Sequence, residues 1–470
     1  MKKFKKAMAL SLALAMGLSL CACGDEKKDD TTTATEGTEA TEATEATDDT
    51  ASDADATGSD SSSDVPLTMP AEDGETIYVY SWNEELGARL QFFKDAYPQY
   101  ADLVQYENLG LGGTSDEYKA AIENAITSGG EKVPSIIACD NDVALYFLNS
   151  EAIVPVEDIG ITTDMYKNAY QYTVDYATID GKLKGLTWQA TPGGFVYRTD
   201  IADKVLGVTE PDDVQEYVKD WDTFFETADK MKAEGYSMLS GCDDVKYVIM
   251  DQKTSPWVEN DTVTVDQAVV DYLETAKKLY DGEYTTKSTM WDDNWNANFT
   301  GDVFGYFGCT WFTYWCIKDT EGSDTYGQRR MCAGPADYHW GGTYLGVTAQ
   351  CPNKELAALV LYTLCCDTDV MYKLSEETLD FVNNTEAVDK LIADGKGASP
   401  ILGGQNPLAT WDKAAKNISL KNATEYDSTF NSYMDNASAA YNSGEFKSAD
   451  EAVANIKEQI RNAYQYLTVE

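Results

Sequence analysis

Between residues 76 and 140 the apolar and polar positions switch back and forth between two periods. TIYVYSW (76–82), LVQYENL (103–109) and VPSIIAC (133–139) are short, β-rich apolar runs. Between the first two, EELGARLQFFKDAYP sets Leu86, Leu90, Phe93 and Tyr97 on one helical face and closes at Pro98. DEYKAAIENAITSGG supplies a second helix that ends at Gly129. Strand alternating with helix predicts a mostly parallel α/β sheet. Further on, Trp221, Phe225, Ala228 and Met231 form an apolar stripe in a helix over 219–235, ended by Gly235. Val269, Leu273, Ala276 and Tyr280 do the same over 265–282. A more apolar helix covers 353–367 with Asn353 as its N-cap, and 448–467 is helical again. Residues 299–315 read FTGDVFGYFGCTWFTYW in a chain that is 11% aromatic. Alternating Val303, Gly305, Phe307 and Phe304, Tyr306, Gly308 predict a strand buried on both faces. Trp311 follows just past it, where ligand contacts in α/β folds gather.

The first residues carry a different pattern. MKKFKK is cationic, and ALSLALAMGLSL is an apolar run of the length found in secretory signals. It ends in LCAC, where Leu20, Cys21, Ala22 and Cys23 resemble a bacterial lipobox. That resemblance implies a signal peptide over 1–22, cleavage before Cys23 and a lipid on its sulfur. Residues 23–70 follow as a Thr/Glu/Ala/Ser/Asp-rich stretch with very little to bury, so they are expected to stay a disordered tether. Some fifty flexible residues span roughly 40 Å. Such a protein sits on the extracellular face of a cell membrane, as in a Gram-positive bacterium, held by its lipid alone.

The formal net charge of −44 is partly the tether, but the rest of the chain is acidic too. That argues against nucleic acid as a partner and against broad contact with anionic lipid. Roughly 400 residues remain after the tether, enough for two domains with their own cores. They contain Cys139, Cys242, Cys309, Cys316, Cys332, Cys351, Cys365 and Cys366, with no C-x-x-C pair and a single histidine, His339. No metal site or cofactor is expected from that set. Cys309 and Cys316 are the nearest plausible disulfide pair, and free thiols in apolar surroundings are the expected state. NLGLGGT (108–114) lacks a phosphate-loop lysine and reads as a plain loop.

Taken in order, four segments resemble the extracellular solute-binding proteins of carbohydrate ABC transporters, the group that includes maltose-binding protein. They are IDGKLKGLTWQATPGGFVYRTDI, WDTFFETADKMKAEG, NFTGDVFGYFGCTW, and AGPADYHWGGTYLGVT followed by CPNKELAALVL. Arg198 departs from the Asn usual after the tyrosine, and GDVFGYFG is aromatic where the family has smaller residues. The resemblance implies a periplasmic-binding-protein type II fold, with two discontinuous α/β lobes joined by a hinge. The first lobe would be 71–190 plus 334–394, the second 191–333 plus 395–470. Crossings are expected near Trp188 to Gly194, near Met331 to Pro335, and near Gly395. The implied ligand is an oligosaccharide, the implied partners are the membrane permease subunits, and the protein is expected to be a monomer.

A sugar offers a C–H face to an aromatic ring and hydroxyls to polar groups, which selects the candidate site residues. By resemblance Trp311 is the stacking tryptophan. Trp315 either shares the cleft or packs beneath it. Trp82, Asn83 and Glu84 follow the first strand, and Asn83 also suits a helix N-cap. Asp140 and Asp142 follow the third strand, either as hydroxyl acceptors or as solvated acids. Trp188 and Gln189 sit at the first crossing, and Trp340, Gly341 and Gly342 follow the second. Trp291 and Trp295 lie one helical turn apart, so they either line the cleft or staple the helix to its lobe. Trp221 reads as core, and His339 as a satisfied or solvated histidine. The chain is therefore read as a non-enzymatic, lipid-anchored sugar-binding protein. A secreted glycoside hydrolase, which needs two carboxylates at a set separation, and a polysaccharide adhesin remain as alternatives.

Overall fold

The structure, a computed structural model, describes residues 65–470. The expected signal segment, Cys23 and the expected tether up to residue 64 lie outside the described residues. The chain from Leu67 to Glu470 forms one compact unit. Within it the alternation of periods produces the expected sheet. Ile77–Ser81 pairs in parallel with Val104–Asn108 and with Ile136–Asp140, the latter through Val79 opposite Ile136. The Leu86, Leu90 and Phe93 face of the helix Glu85–Ala96 is buried, and Ser115 caps the helix Asp116–Ser128. A fourth strand, Thr343–Val347, joins the same sheet antiparallel to Ile136–Asp140. It returns from some two hundred residues away, so this sheet is built from two separate stretches of chain.

The second sheet is antiparallel and has Gly193–Arg198 at its centre, flanked by Gly305–Cys309 and Arg329–Cys332. The strand Gly305–Cys309 is buried at every residue, as the alternation predicts, and Phe304 is buried beside it. Phe307 packs against Phe195 at 5.2 Å and stacks on Phe224 at 5.6 Å, which fixes the helix Trp221–Ala233 on this sheet. Trp221 opens that helix and packs edge-on against Phe224 at 5.4 Å. It is half-buried rather than sealed, though it also packs on Phe307 of the sheet at 6.0 Å. Asn353 caps the helix Lys354–Cys365 by accepting from the Leu356 N–H at 3.1 Å. All eight cysteines among the described residues are buried free thiols.

The two sheets are tied by two chain segments that pair with each other. Residues 186–193 leave the first sheet and enter the second, and 338–345 run back. The Leu345 N–H donates to the Leu186 carbonyl at 2.7 Å, the Trp340 N–H to Thr191 at 3.1 Å, and the Gly193 N–H to Tyr338 at 2.7 Å. On its other side the outgoing segment pairs with 381–383, where the Ala190 N–H donates to Phe381 at 2.9 Å. Trp188 is sealed there and donates to Asp380, which also takes a two-point contact from Arg89 at 2.6 and 2.9 Å. A third link comes after residue 395. Gln405 bonds both the N–H and the carbonyl of Met331, while Trp411 still packs on Phe381 and Asp412 accepts from Tyr170.

Tyr338 is the keystone of this ribbon. Its hydroxyl donates to the carbonyls of Gly194 (3.0 Å) or Gly308 (3.2 Å), and its ring lies flat on Gly193. A Cβ at Gly193 would come within 2.0 Å of the Tyr338 ring. Gly193 is therefore required for space rather than for an unusual φ. Gly193→Ala should cost about 1–3 kcal/mol of stability through overpacking. Denaturant melts would read this, and a variant within about 0.5 kcal/mol of the wild type would contradict the packing argument.

Candidate functional site

A cavity of about 470 Å³ lies where the ends of the two sheets face each other. Its walls come from both. From the first sheet come Asp140, Asn141 and Asp142 at the end of strand Ile136–Asp140, and Gly113 and Thr114 from the glycine-rich loop. From the second comes Trp311, in the short helix Thr310–Trp315, and Tyr247 beside Lys246 comes from the short helix Lys246–Met250. His339, Trp340 and Gly341 from the returning crossing segment form part of the wall. Asp427 and Asp435, on the helix Asp427–Ser443, complete it.

One wall is aromatic. Tyr247 stacks on Trp340 with ring centres 5.0 Å apart and planes 24° from parallel. Trp340 meets Trp311 edge-on at 4.9 Å, and the Trp311 indole N–H donates to the Trp340 carbonyl at 3.0 Å. Gly341 makes this approach possible, since a Cβ there would lie 3.2 Å from the Trp311 nitrogen.

The remaining walls are charged, and most charges are paired. Lys246 meets Asp435 at 3.1 Å and Lys253 meets Asp427 at 2.6 Å. The Tyr247 hydroxyl donates to Asp142 Oδ2 at 3.0 Å, which joins a residue of the second-sheet side to one of the first. His339 is satisfied on both ring nitrogens, by Asp251 at 2.6 Å and by the Asn141 amide at 2.9 Å. Burial lowers the His339 pKa, but the adjoining Asp251 carboxylate outweighs it and leaves the group raised. Asp140 caps the helix Asn141–Leu148 by accepting from the Asp142 N–H at 3.0 Å. Burial, and then the Asp142 charge beside it, push its pKa up to about 8.

Of the candidate site residues singled out in the sequence, the structure brings Asp140, Asp142, Trp291, Trp311, Trp340 and Gly341 to this cavity. Others sit around it. Trp82 packs over Gly113, where a Cβ would lie 2.8 Å from the indole, and meets Tyr118 edge-on at 5.7 Å. Asn83 lies one residue before the N-cap position Glu84, its Oδ1 accepting from the Glu85 N–H at 2.9 Å, and Glu84 accepts from Asn108 at 2.6 Å. Gly342 offers its carbonyl to the Asn141 N–H, and Gln189 is buried against Thr343. Trp188 and Trp295 present no face to the cavity. Trp188 is held in the core by Asp380, and Trp295 is sealed with its indole N–H on Asp244 at 2.7 Å. Trp315 is 47% exposed and reaches the Glu85 carboxylate instead.

Sequence reasoning missed Tyr247, Lys246 and Lys253. The short strand Leu239–Gly241 precedes the first two, so the strand-end rule that found Asp140 would have reached them once that strand was recognised. Asp427 and Asp435 carry no local signal, because their place depends on how the C-terminal helices return. Among the described residues no cluster of His, Cys, Asp or Glu is placed to hold a metal ion.

Comparison with known proteins matches residues 111–399 to the family described as bacterial extracellular solute-binding protein. The lactose-binding protein of Rhizobium radiobacter is 25% identical over 211 residues, which is 42% of this chain and 48% of that protein. The chain thus aligns with about half the length of that curated relative. The fold is similar to that of a crystal structure of an extracellular solute-binding protein of family 1, with a TM-score of 0.70 and 19% identity over 83% of this chain and 99% of the other. It is also similar to the ABC-transporter-associated binding protein of B. animalis subsp. lactis in complex with β-1,6-galactobiose. There the TM-score is 0.63 and identity 19%, covering 85% of this chain and 100% of the other.

The raised Asp140 pKa has a signed consequence. Between the ordinary aspartate value near about 4 and about 8, the folded state keeps a proton that the unfolded chain has lost. Asp140 therefore makes stability fall as pH rises through that window. Asp140→Asn keeps the cap and removes the titration. Its stability relative to the wild type should increase steadily from pH 5 to pH 8 in urea melts. A difference that does not change with pH would contradict the environment described for Asp140.

Proposed function

The chain belongs to the bacterial extracellular solute-binding protein family, and from that premise we propose that it captures an oligosaccharide in this cavity and delivers it to the permease of an ABC transporter. The observation that carries the reading is the aromatic wall of Tyr247, Trp340 and Trp311 facing Asp142, Asn141 and the lysine–aspartate pairs. Flat apolar rings opposite fixed donors and acceptors match the two-sided chemistry of a sugar. A glycan-like ligand also explains why the charges are paired internally, since a neutral ligand supplies no counterion.

The reading includes two lobes, 71–190 plus 334–394 and 191–333 plus 395–470, that close on the sugar about the paired crossing segments. The contact between Tyr247 and Asp142 then belongs to the closed form. Candidate ligands are short neutral oligosaccharides, with β-galactosides first because two of the three similar proteins named above are described with galactose-containing sugars. Cys23 carries the lipid that holds the protein at the extracellular face, and the permease subunits are its partners.

Lactose, β-1,6-galactobiose and maltotriose should be screened by thermal shift and then by calorimetric titration. A cognate sugar at a hundredfold excess over its Kd stabilises the fold by about 2.7 kcal/mol. It should be recovered intact after prolonged incubation. Release of smaller sugars would replace this reading with a hydrolase, and no response to any neutral oligosaccharide would remove sugar binding altogether. Separately, Cys23→Ala should move the protein from the membrane fraction to the medium with sugar binding unchanged. Retention on the membrane in mild salt would contradict the anchor.

A further inference from the structure

The turn that leads into the short helix Asp293–Ala297 is held in an unfavourable shape. Lys287 has φ 62° and Trp291 has φ 74°, in the left-handed region. For a residue as large as tryptophan this is a true outlier, and such strain persists only where the surroundings impose it. Here they do. The Met290 N–H donates to Asp243 at 2.9 Å, the Thr289 N–H to Asp292 at 2.9 Å, and the Trp295 N–H to the other Asp292 oxygen at 2.6 Å. Glycine or asparagine would take this backbone with less strain.

The strain sets the Trp291 side chain in one place. Its ring lies nearly parallel to Trp311, 12° between planes and 6.0 Å between centres, and borders Trp340 at 5.6 Å. That spacing is direct aromatic contact, with no room for a sugar ring between the two. Gly341 closes on Trp311 from its own side. Trp291 therefore covers one face of Trp311, which is half-buried in the cavity wall. The open face belongs to Trp291, which lines the cavity and is 52% exposed, the most exposed of the large apolar side chains among the described residues.

We infer that Trp291 is the ring on which the ligand packs at the cavity mouth, with Trp311 as its rigid backing. A residue that only stapled the short helix to the sheet would turn its ring inward, as Trp295 does at 1% exposure. Trp291 instead keeps an apolar face in solvent on a backbone that disfavours it. Both features are explained if the outer face is reserved for a sugar unit extending out of the enclosed space. This rests on the sugar-binding reading and names the residue that selects ligands long enough to reach the mouth.

The test uses the sugar that titrates with the wild type among lactose, β-1,6-galactobiose and maltotriose. Trp291→Ala should weaken its affinity tenfold or more. Its melting temperature without sugar should stay close to that of the wild type, since half of the ring was never buried. Trp291→Phe should recover most of the affinity. Saturating sugar should also shield wild-type fluorescence from iodide quenching, and Trp291→Phe should lose most of that shielding. This last readout works on folded protein even if the Ala variant is unstable. Full-affinity binding by Trp291→Ala with an early melt, or equal shielding in wild type and Trp291→Phe, would overturn the assignment and make Trp291 a staple. A wild type that binds no neutral oligosaccharide would instead overturn the sugar-binding reading, and this inference with it.

Discussion

Everything in the site depends on the close pairing of residues 190–193 with 338–341. These hydrogen bonds bring the ends of two sheets together, and Tyr338 locks them by lying on Gly193 with its hydroxyl at Gly194 and Gly308. The same few residues carry Trp340, Gly341 and His339 into the cavity wall. Position and chemistry are thus coupled in one ribbon. A shift in the ribbon moves the aromatic wall relative to Asp140 and Asp142, which hang from the first sheet. Backbone pairing of this kind is strong across the ribbon and soft to bending along it, which suits a segment that absorbs rotation between two bodies.

The charge arrangement complements that geometry. The chain is strongly acidic, yet the lysines at the cavity are used locally, each against one aspartate. Pairing holds the donors and acceptors in place before a ligand arrives, so less ordering is left to be done on binding. Asp140 is the exception. Burial, and then the Asp142 charge beside it, push its pKa up to about 8.

The sequence was most legible where periodicity was strong and the consequence local. The three parallel strands, the Asn353 cap and the doubly buried strand through Phe307 follow from alternation, capping chemistry and apolar runs. The strand-end rule found Asp140, Asp142 and Trp311 for the same reason, since a strand end is a local feature. Trp188, taken from the first crossing, and Trp295, taken from its spacing to Trp291, lie in the core instead, because whether an indole faces a cleft or the core depends on distant partners, here Asp380 and Asp244. Trp221 went the other way, predicted as core but left half-buried at the start of its helix. Tyr247 escaped because its strand is only three residues long, and Asp427 and Asp435 because their position is set by the return of the C-terminal helices. The strain at Trp291 has no sequence signature, since the residue there is the one least suited to its φ.

The central claim is that two bodies joined by the paired segments close around a ligand. The structure, with Tyr247 reaching across to Asp142, would then represent the closed arrangement. Small-angle scattering tests this most directly, on protein comprising residues 65–470, the part the structure describes. The account predicts that saturating sugar lowers the radius of gyration, because the ligand interacts more strongly with the closed form and shifts the population towards it. An unchanged radius of gyration with a sugar whose binding has been established by titration would contradict it.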